Sequence, residues 1–231
     1  MGAAIGWGAL AASSLVIGAL LSFARRWSRR QLGAVLAFGA GALISAFSFE
    51  LAEEGIVEGG PVATGVGLGA GALAYFLLDR VIDRRVQGEG GTGLALGAFL
   101  DGIPEQMVLG INLAAGGGVG VSLLLAIFVS NLPESMGSAQ EMAESGTPRR
   151  PILRLWLAVA AVCTAATAIG YLAADAASGE ARATIDGFAA GALLVMLIDS
   201  MIPEASKDAG RAAGLVTVLG FALAAALSNL S

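Results

Sequence analysis

Long apolar stretches, separated by short polar segments, run the whole length of this chain. Eight of these stretches can each form an α-helix of about 20 residues, the length that crosses a hydrocarbon core of roughly 30 Å. The predicted spans are 4–24, 32–54, 62–80, 92–115, 119–143, 151–175, 183–205 and 212–230. We therefore predict an all-α integral membrane protein of eight transmembrane helices, folded as a single polytopic membrane domain over residues 1–231.

The composition supports lipid as the surrounding medium. Charged residues make up 13% of the sequence and hydrophobic residues 56%, whereas ordinary globular domains carry about a quarter charged residues. The 34 glycines fit the same interpretation, because small residues let membrane helices approach closely, and Gly67 with Gly71 forms a small-xxx-small pair. The net charge of −5 does not indicate nucleic-acid binding, and we expect no organic cofactor.

The basic residues predict the orientation in the membrane. Twelve of the thirteen lysines and arginines follow the first, third, fifth or seventh span, and we expect Arg182 in a loop of the other parity. The positive-inside rule assigns the arginine-rich side to the cytoplasm. We therefore expect a multi-pass protein of the cell (inner) membrane with both termini outside the cytoplasm.

A weak internal repeat relates the two halves of the chain. With an offset of 150 residues, the sequence FGAGAL at 38–43 lies over FAAGAL at 188–193, and Glu54 lies over Glu204. The two segments belong to spans of opposite direction, as in the inverted repeats of many transporters. Alanine, glycine and leucine are abundant, so chance similarity is the alternative. The repeat favours a 3+2+3 arrangement, with two three-helix repeats flanking the fourth and fifth spans.

Two similar polar motifs lie at the centres of the fourth and fifth spans. Positions 101–105 read Asp-Gly-Ile-Pro-Glu, and positions 130–134 read Ser-Asn-Leu-Pro-Glu. An ionisable group at this depth costs several kcal/mol, yet no Lys, Arg or His lies at the depth of Asp101, Glu105 and Glu134 in the predicted spans. A bound cation is the simplest compensating partner, and protonation of the carboxylates is the alternative.

The spacing within each motif strengthens the case for a cation. Asp101 and Glu105 are four residues apart and share a helix face, as do Ser130 and Glu134. The mid-helix proline of each motif frees the carbonyl four residues earlier, which adds a further oxygen beside the carboxylates. A structural kink with a neutral, hydrogen-bonded glutamic acid would explain one such motif. Two copies at the same depth on adjacent spans favour a cation site.

The motifs resemble the paired signatures of the ZIP family of metal transporters. Those signatures are His-Asn-x-Pro-Glu-Gly on the fourth span and His-x-x-Pro-Glu-Gly on the fifth. The segments GALISAFSFELAEE (41–54) and AAGALLVMLIDSMIPE (189–204) are similar to the second and seventh spans of that family. The resemblance implies a ZIP-like bundle, transport of a divalent metal ion and a homodimer.

The resemblance also implies which residues hold the metal. Carried over position by position, the expected ligands are Asp101, Glu105, Ser130, Asn131 and Glu134. Both motif histidines are absent, and the closing glycines are replaced by Gln106 and Ser135. An all-oxygen shell suits harder ions such as manganese, whereas carboxylates also bind zinc. Zinc follows from the resemblance, with manganese, iron or cadmium as alternatives. The sixth span carries no buried acid, so we expect no second metal site.

Further acids outline a route for the ion. We predict that Glu50 in the second span, and Asp199 and Glu204 in the seventh, line a metal pathway, because acidic rings attract cations into pores. Interfacial solvation is the alternative for Glu204. We interpret Glu141 and Glu144, near the end of the fifth span, as solvated.

These observations lead to two functional hypotheses. The first is a permease that moves a divalent metal ion toward the cytoplasm by alternating exposure of a midplane carboxylate site. The second, motivated by the missing histidines, is a ZIP-fold protein that does not transport and acts as a metal sensor, scaffold or accessory subunit. An enzyme is disfavoured, because the sequence has no histidine, no activated Ser or Cys dyad and no phosphate-binding loop.

Overall fold

The computed structural model describes residues 1–85, 91–115 and 120–228, without the side chains of residues 50, 82–96 and 98. Eight helices follow one another along these residues, in agreement with the prediction. They are α1 (Gly2–Ala24), α2 (Arg29–Gly59), α3 (Pro61–Arg85), α4 (Gly91–Ala114), α5 (Val121–Glu144), α6 (Arg149–Asp175), α7 (Glu180–Ala209) and α8 (Ala212–Ser228).

Most of these helices meet the length and hydropathy that a membrane span requires. Within the described residues, six are long and apolar enough to cross a bilayer, namely α1, α2, α5, α6, α7 and the Pro61–Val81 part of α3. The helix α8 is apolar but shorter, with 17 residues, and α4 carries Asp101 and Glu105 near its centre. The chain is a multi-pass, all-α membrane protein.

Close helix crossings hold the bundle together, and glycines permit them. Where α3 crosses α7, a Cβ atom on Gly67 would overlap the carbonyl oxygen of Thr184, and one on Gly191 would overlap that of Leu68. The same reciprocal contact recurs where α2 crosses α8 and where α4 crosses α6. The glycines at those two crossings are Gly41, Gly220, Gly110 and Gly170. The close packing predicted for Gly67 and Gly71 is therefore confirmed.

The helices fall into two groups. The site bundle consists of α1, α4, α5 and α6; besides the crossing of α4 with α6, Gly8 of α1 packs on Thr167 of α6, and Gly18 of α1 packs on Ser135 of α5. The flanking helices are α2 with α8 and α3 with α7. Because α2 pairs with α8 and α3 with α7, each flanking pair joins a helix from the first half of the chain to one from the second.

Two π-helical segments support the internal repeat. One occupies Ser48–Glu53 within α2, and the other occupies Leu197–Met201 within α7. They are separated by nearly the offset found in the sequence, and π segments often occur at functional sites. Pro203 lies just after the second segment, whereas no proline accompanies the first.

The two ends of the bundle differ in charge. At one end, called the basic end, α1 and α2 meet the last turns of α5 and α7: the Arg26 and Glu144 side chains lie 3.7 Å apart, and the Trp27 backbone N–H donates to Gln140 Oε1 at 2.8 Å. Arg182 belongs to the opposite end. The sequence suggested a loop position for it, but it lies in a helix. It lies in the first turn of α7, which begins at Glu180, and is 4% exposed.

The α3–α7 crossing predicts a difference between two neighbouring glycines. We expect Gly67→Ala to lower the stability of the purified protein by about 1–3 kcal/mol, because the new methyl group overlaps a backbone carbonyl. Thermal unfolding in detergent, followed by size-exclusion chromatography, measures the change. Gly69→Ala is the matched control, because its Cβ position is open and alanine favours the helix by about 1 kcal/mol over glycine. An equal loss at both positions would contradict the proposed role of the crossing.

Candidate metal site

Glu105 of α4 is the centre of a buried polar cluster between α4 and α5. Its carboxylate, 1% exposed, accepts hydrogen bonds from Ser130 Oγ at 3.1 and 3.3 Å and from Asn131 Nδ2 at 2.8 Å. Three of the five predicted ligands are thus in direct contact. The cluster lies where α2 also comes close, because Gly39 packs directly on the backbone of Ser130.

Local backbone contacts fix the two α5 donors. Ser130 Oγ and Asn131 Nδ2 each donate to the carbonyl oxygen of Ile127, at 3.0 and 2.8 Å. Ser135, at one of the closing glycine positions of the motif, donates to the Asn131 carbonyl at 2.9 Å and packs on Gly18. The Asn131 side chain is therefore held through its amide nitrogen, which donates both to the Ile127 carbonyl and to Glu105.

Two oxygen atoms of this region have no hydrogen-bond donor among the described residues. They are Asn131 Oδ1 and Glu134 Oε1, and both are buried. A buried polar atom without a partner costs about 1–3 kcal/mol, and more when it is charged. Native structures pair nearly all such atoms. Two unpaired oxygens next to the Glu105 cluster therefore indicate a missing positively charged or hydrogen-bond-donating partner.

Asp101 is buried but makes its contacts in another direction. One carboxylate oxygen accepts from the Tyr75 hydroxyl of α3, and the other accepts from Ser200 Oγ at 2.7 Å. Ser200 belongs to the π segment of α7, so this segment connects α7 to the motif of α4. The two hydroxyl donors belong to α3 and α7, so Asp101 connects the site bundle to the flanking helices.

Sequence reasoning missed Tyr75 and Ser200. The only available signals were a tyrosine inside the third span and a serine beside Asp199. Both partners depend on which helices pack together, which the motifs do not specify.

Acidic side chains alone do not form a metal site in the described part of the chain. In the part of the chain that the structure describes, no group of three or more His, Cys, Asp and Glu side chains is arranged to hold a metal ion. A metal bound in this conformation would therefore combine carboxylates with amide or hydroxyl oxygens. Such ligands are hard and suit oxygen-preferring ions as well as zinc. The five-residue ligand set stays a prediction.

An acidic cleft leads from the basic end to Glu134. It has a volume of about 80 Å³, and Glu134 forms its inner part, because the other acids of α5 lie nearer the basic end of that helix. Its charged and polar lining consists of Arg29, Glu134, Gln140, Glu141, Glu144, Glu204 and Asp208. Glu204 therefore lies where the sequence predicted a pathway residue, and Glu141 and Glu144, interpreted as solvated, border the same cleft.

Of the other two predicted pathway residues, Asp199 does not line this cleft. Asp199 is exposed on the outer surface between α3 and α7, beside Leu73 and Phe76. Its neighbour Ser200 faces inward to Asp101 instead. Glu50 belongs to the π segment of α2, but its side chain lies outside the described part of the chain.

The positions that depart from the ZIP signatures have packing roles. A Cβ atom on Gly102 would lie 3.0 Å from Cys163 Sγ and 3.8 Å from Asn131 Oδ1. Gln106 accepts a hydrogen bond from Thr167 Oγ1 at 2.6 Å, which ties α4 to α6. The substitutions thus belong to a bundle in which α4, α5 and α6 lie close together.

Comparison with known proteins agrees with these features. A family model described as ZIP zinc transporter matches residues 87–228, more than half of the chain. A protein of Arabidopsis thaliana named as a zinc transporter is 30% identical over 183 residues, which is 74% of this chain and 29% of that protein. The zinc transporter SLC39A7 of Homo sapiens is 26% identical over 148 residues, 61% of this chain and 31% of that protein.

The chain spans less than a third of the length of these relatives. The similarity therefore concerns only part of those proteins, and the family model matches the part of this chain that carries the two Pro-Glu motifs. Because the family model covers most of the chain, including both motifs, the chain belongs to the ZIP family.

Proposed function

We propose that this protein carries a divalent metal ion across the membrane and holds it between α4 and α5 with Glu105, Asn131 and Glu134. The observation that supports this most directly is the pair of unpartnered, buried oxygens, Asn131 Oδ1 and Glu134 Oε1, next to the Glu105 cluster. A cation satisfies both atoms and compensates the negative charge. Membership in the ZIP family supports the same assignment.

Ser130 and Asp101 have supporting roles in this proposal. The Ser130 hydroxyl lies within hydrogen-bond distance of both oxygens of Glu105, at 3.1 and 3.3 Å, which keeps the carboxylate oriented between α4 and α5. Asp101 holds α4 against Tyr75 and Ser200. It is a ligand only in a conformation in which one of these hydroxyl bonds has broken.

The ion is zinc by family membership, and the oxygen-rich ligand set also accommodates manganese, iron or cadmium. Neither motif contains the imidazole that favours zinc and similar metals. Carboxylates nevertheless bind zinc at about 2.0–2.2 Å. We expect zinc to be carried with modest preference over manganese and iron.

The acidic cleft is the proposed exit. An ion that leaves Glu134 meets Glu204 and then Glu141 on its way to the basic end. The positive-inside rule makes that end cytoplasmic, so the direction of release is toward the cytoplasm and both termini lie outside. The cell-membrane location and the homodimer expected from the family stay predictions.

A non-transporting role is the second candidate. The absence of both motif histidines and of a three-carboxylate cluster within the described residues favours weak metal binding. A sensor or accessory subunit would bind the ion without releasing it on the other side. Uptake and binding must therefore be measured separately.

The proposed ligands can be tested by metal uptake into proteoliposomes loaded with a metal-sensitive dye. We expect zinc to enter, and Glu105→Gln and Glu134→Gln each to lower the initial rate by about 10- to 100-fold, the range seen when groups that support a metal site are removed. Calorimetric titration of zinc should show the same loss of affinity.

The control for these variants is Glu180→Gln, an exposed acid at the start of α7, outside the cleft. It should retain uptake. Binding without uptake of any of zinc, manganese, iron or cadmium would support the sensor or accessory role instead. Uptake that survives both ligand substitutions would rule out the proposed site.

The cleft generates a separate prediction about rate. Glu204→Gln should lower uptake by a few-fold at low ionic strength and much less at high ionic strength, because its charge acts by attracting the cation and salt screens that attraction. Zinc affinity should stay close to that of the unmodified protein. A loss of rate that is independent of salt would contradict an electrostatic role for this residue.

A further inference from the structure

A buried ion pair joins the two groups of helices at the end opposite the cleft. Arg182 of α7 donates through Nε to Asp186, with distances of 3.0 and 3.3 Å to the two carboxylate oxygens. The same guanidinium donates through Nη2 to the Ile111 carbonyl of α4 at 2.8 Å, and through Nη1 to the Ala174 carbonyl of α6 at 3.4 Å. One side chain of the flanking helices thus contacts two helices of the site bundle.

Both carbonyls lie at the ends of their helices. Ile111 and Ala174 belong to the last turns of α4 and α6, where backbone carbonyls lack the usual partner four residues later; the Ala174 carbonyl also accepts from the Ala177 N–H at 3.1 Å. The negative end of each helix dipole also attracts a cation. The guanidinium therefore binds both helix ends as well as Asp186.

Burial makes this arrangement costly unless every contact is kept. Arg182 is 4% exposed and Asp186 is 1% exposed. Among the described residues, Arg182 is the only buried basic side chain. Removing one member of a buried pair is strongly destabilising in soluble proteins, whereas the complete pair adds little net stability. The role of this ion pair is therefore sought in the contact that it makes between α7 and the ends of α4 and α6.

From this end Glu105 is covered, being 1% exposed, and the cavity of about 300 Å³ between α4, α6 and α7 has an almost entirely apolar lining. Val108 is one helical turn beyond Glu105 toward Ile111, on the same face of α4, and it is fully buried. On the other side of the site, by contrast, the acidic cleft leads from Glu134 to the basic end. An ion that reaches Glu105 from the opposite end must pass the level of Val108, so we expect the contacts between α7 and α4 at that end to open first.

We infer that Arg182 and Asp186 form a latch that holds the end opposite the cleft closed, and that the guanidinium must leave the carbonyls of Ile111 and Ala174 before the metal site opens to that side. This inference rests on the proposed function for its purpose, since only a carrier needs both ends to open. The contacts themselves do not depend on the identity of the ion. Glu54, on the neighbouring α2, lies close enough to interact with the charge of Arg182 and offers it a new partner when the latch opens.

Cysteine accessibility tests the latch, because Cys163 is the single cysteine of the sequence and is fully buried. In a Cys163→Ser background, Val108→Cys reports opening of the latched end. Gly137→Cys reports the cleft, where a Cβ atom has only an ordinary contact with Leu32 at 3.7 Å. The reagent is a charged maleimide applied to both faces of protein in nanodiscs, and the background without a reporter is the blank.

The latch variants are Arg182→Gln and Asp186→Asn. We expect each to raise the labelling rate of Val108→Cys about tenfold, which corresponds to one lost charge-assisted hydrogen bond, while labelling of Gly137→Cys does not rise. Arg182→Lys should show most of the same effect, because an ammonium group cannot contact Asp186 and both carbonyls in a fixed fork. Arg26→Gln, in the exposed pair with Glu144, is the control and should leave both rates unchanged.

Two labelling results would overturn the inference. Faster labelling of both reporters means that the pair merely stabilises the fold, which a matching loss of thermal stability would confirm. Unchanged labelling of both means that the pair does not hold the end closed. The labelling needs no metal, so a shift of Val108→Cys in a protein that takes up no ion would retain the latch and remove the proposed function.

Discussion

Negative charge without a matching positive side chain is the constraint on which this membrane bundle depends. Glu105 and Asp101 are buried at the centre of α4, and Glu134 lies on the adjoining α5. The only buried basic residue among those described, Arg182, is at another level and already has Asp186. Hydroxyl and amide donors anchor Glu105 and Asp101, but a neutral donor leaves their charge in place. In the proposed function, a mobile cation would both complete the site and be able to leave it.

The helix count and the membrane setting could be predicted, because hydropathy, arginine parity and small residues are properties of short stretches of sequence. The pairing of helices could be predicted only in part. The repeat related the segments near Gly41 and Gly191, and in the structure these glycines let α2 approach α8 and α7 approach α3. The π segment of α2 could not be foreseen, because no proline marks it.

The same distinction applies to the site. Contacts that depend on the two motifs could be predicted, whereas contacts that depend on the packing of other helices could not. The contacts of Glu105 with Ser130 and Asn131 follow from two motifs at equal depth on adjacent helices. The partners of Asp101 do not, because Tyr75 and Ser200 come from helices whose packing the motifs do not encode. Arg182 was misplaced for a related reason: hydropathy treats an arginine as a loop residue, whereas two helix ends and Asp186 make its burial possible here.

The ligand set also bears on how a carrier releases its ion. Conduction requires binding that is strong enough to admit the ion and weak enough to let it leave. Two histidine-free motifs, in which carboxylate, hydroxyl and amide oxygens stand where imidazole would be, reduce the softness of the site. Under the proposed function, a weaker site next to an acidic cleft would pass its ion outward more readily, since Glu204 and Glu141 would compete with Glu134 for it. Loss of the imidazole ligands is therefore compatible with turnover, and its expected consequence is lower selectivity among divalent ions.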